Sequence, residues 1–165
     1  MKLSYLLLFV LSFSIAFQSC SKQDSTSAYA EWRQQNEDTI IKIKNDPYFF
    51  QATVPHGPGT VYYHQDINED QGDTLALYTS QVKISYKGSL IDGTVFDDAS
   101  ERITTMNVSD NISGFAIALQ NMRRGDKWKV YIPWDLGYGS AGNGTTIPPY
   151  STLIFEIKLI QISKY

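Results

Sequence analysis

The chain has 165 residues, with 14 Lys and Arg against 17 Asp and Glu, and a formal net charge of −3. This acidic balance, without clustered basic residues, argues against nucleic acid as a partner and against electrostatic docking to a membrane surface. The length is enough for one good hydrophobic core, so we expect a single globular domain with an N-terminal extension.

Residues 1–19 have the pattern of a secretory leader. Lys2 precedes an apolar run from Leu3 to Phe17, which is too short to span a bilayer. Cys20 is the only cysteine, so it has no disulfide partner within the chain. One interpretation is a secreted protein, cleaved nearby, with an incidental free thiol.

The segment also resembles the lipobox of bacterial lipoproteins, in which the cysteine becomes the lipidated first residue, although Phe17 and Gln18 depart from the usual lead. The resemblance implies a lipid anchor at Cys20 and a location in the bacterial cell envelope, facing the periplasm or the cell surface. Removing the leader takes away one lysine and leaves a net charge of about −4.

Residues 20–58 are predicted to form a tether and a helical extension. Ser21–Ser27 is polar, whereas Ala28–Lys44 is rich in helix-forming residues and is followed by Asn-Asp-Pro, which ends a helix. Asn36 interrupts the partial apolar stripe of this helix, so we expect a monomer rather than a helix-paired dimer. Residues 48–58 form a connector of unassigned structure.

From Gly59 onward apolar and polar residues alternate, which is typical of half-buried strands. Asp92-Gly93 favours a type I′ hairpin turn, because both residue types tolerate positive φ. The predicted strands are 61–65, 74–78, 82–87, one that begins at Thr94, a weaker one at 104–108, 127–132 and 153–162.

One amphipathic helix interrupts the strands. Its apolar residues recur at spacings of three and four and therefore share a face. These residues are Ile112, Phe115, Leu119 and Met122. Asp110 or Ser113 is expected to cap the start of this helix, and Gly125, after two arginines, to end it. A mostly antiparallel sheet wrapped over one helix is an α+β architecture.

The segment from Ile132 to Glu156 carries the chemistry. It contains a tyrosine between two glycines, a rigid diproline and a strand with an aromatic residue. Such a segment can line an apolar pocket with one hydroxyl directed inward. It offers no nucleophile, metal ligand or phosphate cradle, so it is suited to binding and reshaping an apolar backbone segment.

Seven short motifs follow one another along the chain. They are Tyr86-Lys-Gly, Asp92-Gly93-x-x-Phe96-Asp97, Ile112-x-Gly114-Phe115, Met122-x-x-Gly125, Tyr138-Gly139, Ile147-Pro148-Pro149 and Leu153-x-Phe155. In this order and at nearly the family's spacing, they resemble the FKBP-type peptidyl-prolyl cis-trans isomerases over roughly residues 59–164. The resemblance implies an isomerase domain at residues 59–165, a short helix under an antiparallel sheet, proline-containing polypeptide substrates and no cofactor.

The resemblance also implies a pocket between the concave face of the sheet and the helix. Its residues would be Tyr86, Phe96, Asp97, Ile112, Phe115 as the floor, Tyr138, Ile147 and Phe155. Arg102 stands where the family often pairs an arginine with the pocket aspartate, and Thr104 or Met106 would replace a second wall aromatic. Phe115 in place of tryptophan, Asn143 in place of a loop histidine, and Asn111 in place of a valine depart from the family's pattern.

Two further interpretations bear on function. The same pocket could serve a non-catalytic binding or chaperone module in a cell-envelope complex, since the family resemblance extends to lipoproteins of surface motility machinery. The two histidines, His56 and His64, and the acidic residues between Asp66 and Asp73 lack the spacing of a metal site. We therefore expect these histidines and this acidic loop to be solvated surface, and no metal to be bound.

Overall fold

The computed structural model describes residues 25–55, 57–66 and 72–163, so the predicted leader, Cys20 and the start of the tether lie outside the described residues. The elements in chain order are helix α1 (Ser25–Lys44), strands β1 (Phe50–Ala52), β2 (Val61–Gln65), β3 (Gln81–Ser89) and β4 (Val95–Asn107), helix α2 (Ser113–Asn121), and strands β5 (Lys127–Ile132) and β6 (Leu153–Ser163). Two 3-10 turns, Val108–Asp110 and Trp134–Leu136, precede α2 and follow β5.

The six strands form one sheet in the order β1-β2-β5-β6-β3-β4. Every neighbouring pair is antiparallel, which confirms the predicted α+β class. The sheet begins before residue 59, because β1 lies in the segment predicted as an extension and pairs with β2 through Phe50–Tyr63 and Ala52–Val61.

Helix α2 packs against the sheet at very short range. Residues Gly114 to Leu119 are all buried, as are Val130 and Ile132 of β5. A Cβ at Gly114 would collide with the side chain of Ile132, so glycine is what allows the first turn of α2 to approach β5. This close approach places the start of α2 beside the end of the central strands.

Two strand predictions were wrong. Residues 74–78 form no strand, since only Leu75 makes an isolated bridge, to Arg123. The strands expected at Thr94 and at 104–108 are one edge strand, β4. Between Ala99 and Thr104, five steps along β4 oppose two steps along β3. The four residues of this bulge, 100–103, are exposed and three of them are polar, which hid the continuity of the strand in the sequence.

The predicted turn and caps also differ from the structure. Only Gly93 takes positive φ (87°) in the hairpin, so Asp92 does not form a type I′ turn; its carboxylate accepts from the Thr94 N–H at 2.9 Å instead. Ile112 is the N-cap of α2, and no side chain caps the helix. The helix ends at Asn121 because Met122 is extended, four residues before Gly125.

The helix predicted at 28–44 is confirmed as α1, and it docks on the segment that precedes β6. Asn36 is fully buried (0% exposed), and its Oδ1 accepts from the Thr152 N–H at 2.7 Å. We use the name α1 seam for the contact of Trp32, Arg33 and Asn36 with residues 150–152. Over the described ranges no helix has the length and apolar character needed to cross a membrane.

Candidate active site

A cavity of about 610 Å³ opens between the sheet, the start of α2 and the loop that follows β5. All eight residues that the sequence placed in the pocket line this one cavity. They are Tyr86, Phe96, Asp97, Ile112, Phe115, Tyr138, Ile147 and Phe155. The structure thus brings together residues that are up to 69 positions apart in the sequence, Tyr86 and Phe155 being the outermost.

Aromatic rings form the walls and the floor of the cavity. Phe155 lies at the centre of the cluster, with its ring centroid 4.8 Å from that of Phe115 and 5.4 Å from that of Phe96, both edge to face. Tyr86 meets Phe115 at 5.8 Å, again edge to face. Phe115 is 3% exposed and Phe155 is 6% exposed, so this end of the cavity is an apolar surface with fixed ring positions.

Gly88 makes the ring arrangement possible. It lies in β3 opposite Phe155 of β6 and Asp97 of β4. A Cβ at this position would stand 2.5 Å from Phe96 Cε2 and 2.9 Å from Phe155 Cε1. These distances are below any real Cβ contact, so a side chain at position 88 would push the two rings apart.

One polar pair borders the aromatic cluster. The Tyr86 hydroxyl donates to Asp97 Oδ2 at 2.7 Å. Burial, and then this hydrogen bond, raises the pKa of Tyr86 to about 12. The hydroxyl therefore keeps its proton at neutral pH and fixes the Asp97 carboxylate. Arg102 lies in the exposed bulge of β4 and, across the part of the chain described, makes no ion pair with Asp97; its charge acts on Tyr86 and Asp98.

Two polar groups of the pocket keep their hydrogen-bonding capacity. Within the described ranges, neither the Tyr138 hydroxyl nor the Ile112 N–H has a protein partner, whereas the Ile112 carbonyl accepts from Phe115 and Ala116 N–H at 3.1 Å. An unpaired hydroxyl and an unpaired amide in a cavity with an aromatic end can donate to the carbonyl oxygens of a bound peptide.

The loop from Gly142 to Ile147 closes one side of the cavity. Asn143 and Ile147 exchange backbone hydrogen bonds at 2.8 and 3.3 Å, which makes a small hairpin. Gly142 takes φ of 67° and its Cα lies against the Ile147 carbonyl and the Pro148–Pro149 backbone. The diproline backbone is therefore packed against Gly142. Ile147, which precedes the diproline, is buried (4% exposed) at the cavity wall.

Some residues that line the cavity were not predicted from the sequence, and one was predicted only as an alternative. Met106 lines the cavity and Thr104 does not, which resolves the alternative between them. Asp110, Gly144, Thr145 and Thr146 also line it and were not predicted to. Their polar, loop-like sequence carries no signal for a pocket wall; only the fold of the 108–111 turn and of the 142–147 hairpin brings them there.

No cluster of three or more His, Cys, Asp or Glu is placed to hold a metal ion in the ranges 25–55, 57–66 and 72–163. His64 is exposed on β2, with its ring 6.3 Å from that of Phe49. His56 and most of the acidic segment after Asp66 lie outside the described residues.

The chain belongs to the FKBP-type peptidyl-prolyl cis-trans isomerase family, because the model of that family matches residues 72–160, more than half of the sequence. Among curated proteins it is similar to a macrophage infectivity potentiator of Trypanosoma cruzi, with 44% identity over 100 residues, which cover 59% of this chain and 51% of that protein. It is also 46% identical, over 85 residues, to an outer membrane protein MIP of Legionella longbeachae, with coverage of 50% and 36%. The chain thus spans about half, or less, of the length of these relatives.

A solved structure supports the same assignment. A peptidyl-prolyl cis-trans isomerase of Pseudomonas syringae pv. tomato matches with a TM-score of 0.71 and 27% identity. The match covers 82% of this chain and 96% of that one, so it extends well beyond the residues that the family model matches.

Proposed function

We propose that the protein catalyses the cis–trans isomerisation of X-Pro peptide bonds in exported polypeptides. The observation that carries this proposal is the cavity itself: a cluster of four aromatic rings with an unpaired Tyr138 hydroxyl and Ile112 N–H at its rim. The proposal assigns the binding of the proline ring to Phe96, Phe115, Ile147 and Phe155. Family membership and the solved isomerase of similar fold support it.

The physics of the X-Pro bond explains why an apolar cavity can act as a catalyst. The cis and trans forms differ by only about 0.5–1 kcal/mol, yet a barrier of about 18–20 kcal/mol separates them. At the top of the barrier the amide is twisted, conjugation is lost and the charge separation is smaller than in the planar amide. A dry apolar enclosure therefore disfavours the ground state more than the transition state.

The polar groups orient the substrate in this account. The Tyr138 hydroxyl and the Ile112 N–H each donate to a carbonyl of the peptide, and Asp97, held by Tyr86, lies near the carbonyl carbon that rotates. No side chain acts as a general acid or base, because the reaction transfers no proton. Neither a metal nor a cofactor takes part in these steps.

The experiment is an isomerisation assay on X-Pro peptides, with the full chain purified in mild detergent and cis–trans exchange followed by NMR. We expect clear acceleration, and we expect Tyr138→Phe to lower kcat/KM by up to about tenfold, the value of one lost hydrogen bond. Ser140→Ala, an exposed change in the same loop, is the matched control. A folded wild-type protein with no acceleration would leave the non-catalytic binding module as the better account.

The same proposal includes the two ends of the chain. Residues 1–19 would be a removable leader and Cys20 the site of a lipid that anchors the protein in the cell envelope, with residues 59–165 as the isomerase domain. The relative named as an outer membrane protein is consistent with an envelope location. We propose a monomer, since the polar residue that interrupts the stripe of α1 is used within the chain. Mass spectrometry of the processed protein should show a lipid on Cys20 that Cys20→Ser abolishes.

A further inference from the structure

The loop that carries Tyr138 is rich in glycine. Tyr138 stands between Gly137 and Gly139, and three glycines of the loop, Gly139, Gly142 and Gly144, take positive φ of 65°, 67° and 60°. Glycine leaves the backbone more conformational freedom than any other residue. Local hydrogen bonds from the Gly137 and Gly139 N–H groups to the Trp134 carbonyl, at 3.2 and 2.9 Å, hold one side of this segment. The position of the Tyr138 hydroxyl depends in addition on contacts with the chain that follows the 142–147 hairpin.

Tyr150 provides one of these contacts and is itself held in an unfavourable conformation. Its N–H donates to the Gly139 carbonyl at 2.9 Å, directly beside Tyr138. Its φ is 61°, the left-handed region, which is disfavoured for a residue with a Cβ. Such a conformation persists only where the surroundings impose it, and it is enriched at functional sites.

Helix α1 supplies those surroundings for Tyr150. The Arg33 guanidinium lies 4.7 Å from the centre of the Tyr150 ring and 5.3 Å from that of the Trp134 ring, and these two rings meet edge to face at 5.2 Å. The left-handed tyrosine is thus enclosed between a cation of α1 and an aromatic ring of the turn after β5.

Helix α1 also reaches the cavity wall through a two-step hydrogen-bond relay. Trp32 Nε1 donates to Ser151 Oγ at 3.0 Å, and Ser151 Oγ donates to the Pro148 carbonyl at 2.7 Å. Pro148 follows Ile147, which lines the cavity. Ser151, the shared residue of this relay, is buried (3% exposed), and both hydrogen bonds are partly buried, which strengthens them relative to bonds in open solvent.

We infer that α1 is a positioning element of the pocket. Trp32 acts through Ser151, and Arg33 acts through Tyr150. Together they fix the loop that presents Tyr138 and Ile147 to the substrate, and so they set the affinity of the pocket for a prolyl peptide. The inference rests on the proposed isomerase function. None of the three residues Trp32, Arg33 and Ser151 lines the cavity; they act through the loop and not on the reacting bond.

The test is a double-mutant cycle in the full chain, with Trp32→Phe, Ser151→Ala and the combination of both. Trp32→Phe keeps an aromatic ring and removes the N–H donor together with part of the indole's packing area, whereas Ser151→Ala removes the hydroxyl alone. We expect each single variant to raise KM for an X-Pro peptide about three- to tenfold with a smaller change in kcat, and the double variant to add little to Ser151→Ala. Ile41→Ala, on the exposed face of the same helix, is the matched control and should leave both parameters unchanged.

A spectroscopic readout separates positioning from general stability. Methyl NMR signals of Ile147 should shift in Trp32→Phe and Ser151→Ala and stay in place in Ile41→Ala, under conditions where circular dichroism shows every variant folded. Arg33→Gln, at a side chain that is 45% exposed, is the second variant if Ser151→Ala fails to fold, and it should also raise KM.

The possible outcomes distinguish the inference from the function on which it rests. Folded variants with wild-type KM and unshifted Ile147 signals, in a protein that accelerates isomerisation, would overturn the inference alone. A wild-type protein without acceleration would overturn the proposed function itself.

Discussion

The aromatic pocket and the α1 seam are organised on opposite physical principles. The pocket is held by ring packing around Phe155, and two of its hydrogen-bonding groups have no partner among the residues that the structure describes. The seam is held by buried and partly buried polar bonds in which Asn36 and Ser151 each have their partners. Among the described residues, Asn36 and Ser151 of the seam have hydrogen-bond partners, whereas two polar groups of the cavity have none. A bound substrate can supply those missing partners.

The largest effect on activity is expected from filling the space that Gly88 leaves beside the Phe96 and Phe155 rings. Gly88→Ala should lower kcat/KM by more than about tenfold, because its methyl group would displace both Phe96 and Phe155 from their edge-to-face contact, and overpacking of this kind also costs ~1–3 kcal/mol of stability. Steady-state kinetics and urea unfolding measure the two effects. Ser85→Ala, on the same strand and outside the cavity, serves as the control, and an unchanged kcat/KM in folded Gly88→Ala would contradict the ring geometry.

At Asn36, the buried residue of the seam, the main effect should be on stability. Asn36→Leu leaves the Thr152 N–H without its acceptor in a fully buried place, so we expect a loss of about 1–3 kcal/mol in the free energy of unfolding. Asn36 Nδ2 also donates to the Trp32 carbonyl at 2.7 Å. Asn45 makes the same type of bond, from its Nδ2 to the Ile41 carbonyl at 2.9 Å, but is exposed. Asn45→Leu should therefore change stability by less than ~0.5 kcal/mol. Equal losses in the two variants would mean that the burial of Asn36 has no special weight.

The smallest effect is expected from the Tyr86–Asp97 hydrogen bond, which lies at the border between the aromatic cluster and the solvent. The pKa of Tyr86 is raised to about 12 from its ordinary 10.0, so the folded protein holds this proton more tightly than the unfolded chain does. The resulting stabilisation is present in full below pH 10 and is lost as the pH rises from about 10 to 12. Urea unfolding of wild type and Tyr86→Phe across this range should show a shallower alkaline loss in the variant. If the stability of Tyr86→Phe declined as steeply as that of the wild type, groups other than Tyr86 would be responsible for the alkaline loss of stability.

The pocket could be predicted from the sequence, and the seam could not, for a physical reason. Phe96-Asp97, Tyr138-Gly139 and Ile147-Pro148-Pro149 lie in short motifs whose order resembles that of the FKBP-type isomerases, and this resemblance implied the pocket. Asn36 carried the opposite signal, because a polar residue in an apolar stripe indicates an interruption until its partner is known. That partner, Thr152, is 116 residues away, a contact that only the folded chain creates.

The errors at local features have a similar origin. Asp92 can adopt the positive φ of a type I′ turn, but the hairpin places that requirement on Gly93 alone. The polar residues around Arg102 suggested a break between two strands because an edge strand needs no apolar face along its whole length. At such positions the propensity of a residue limits the backbone conformations that it can adopt, and its tertiary contacts decide which of them is formed.

The central claim is that a dry aromatic cavity lowers the barrier to X-Pro rotation, and position 96 tests it most directly. Phe96 is partly exposed at the cavity wall, so both Phe96→Leu and Phe96→Ser should fold, while only the serine admits water and a hydroxyl. By cis–trans exchange NMR, we predict that Phe96→Leu keeps most of the wild-type kcat and that Phe96→Ser loses about tenfold or more, equivalent to ~1.4 kcal/mol of barrier. A serine variant that isomerises the peptide as fast as the leucine variant would contradict the account.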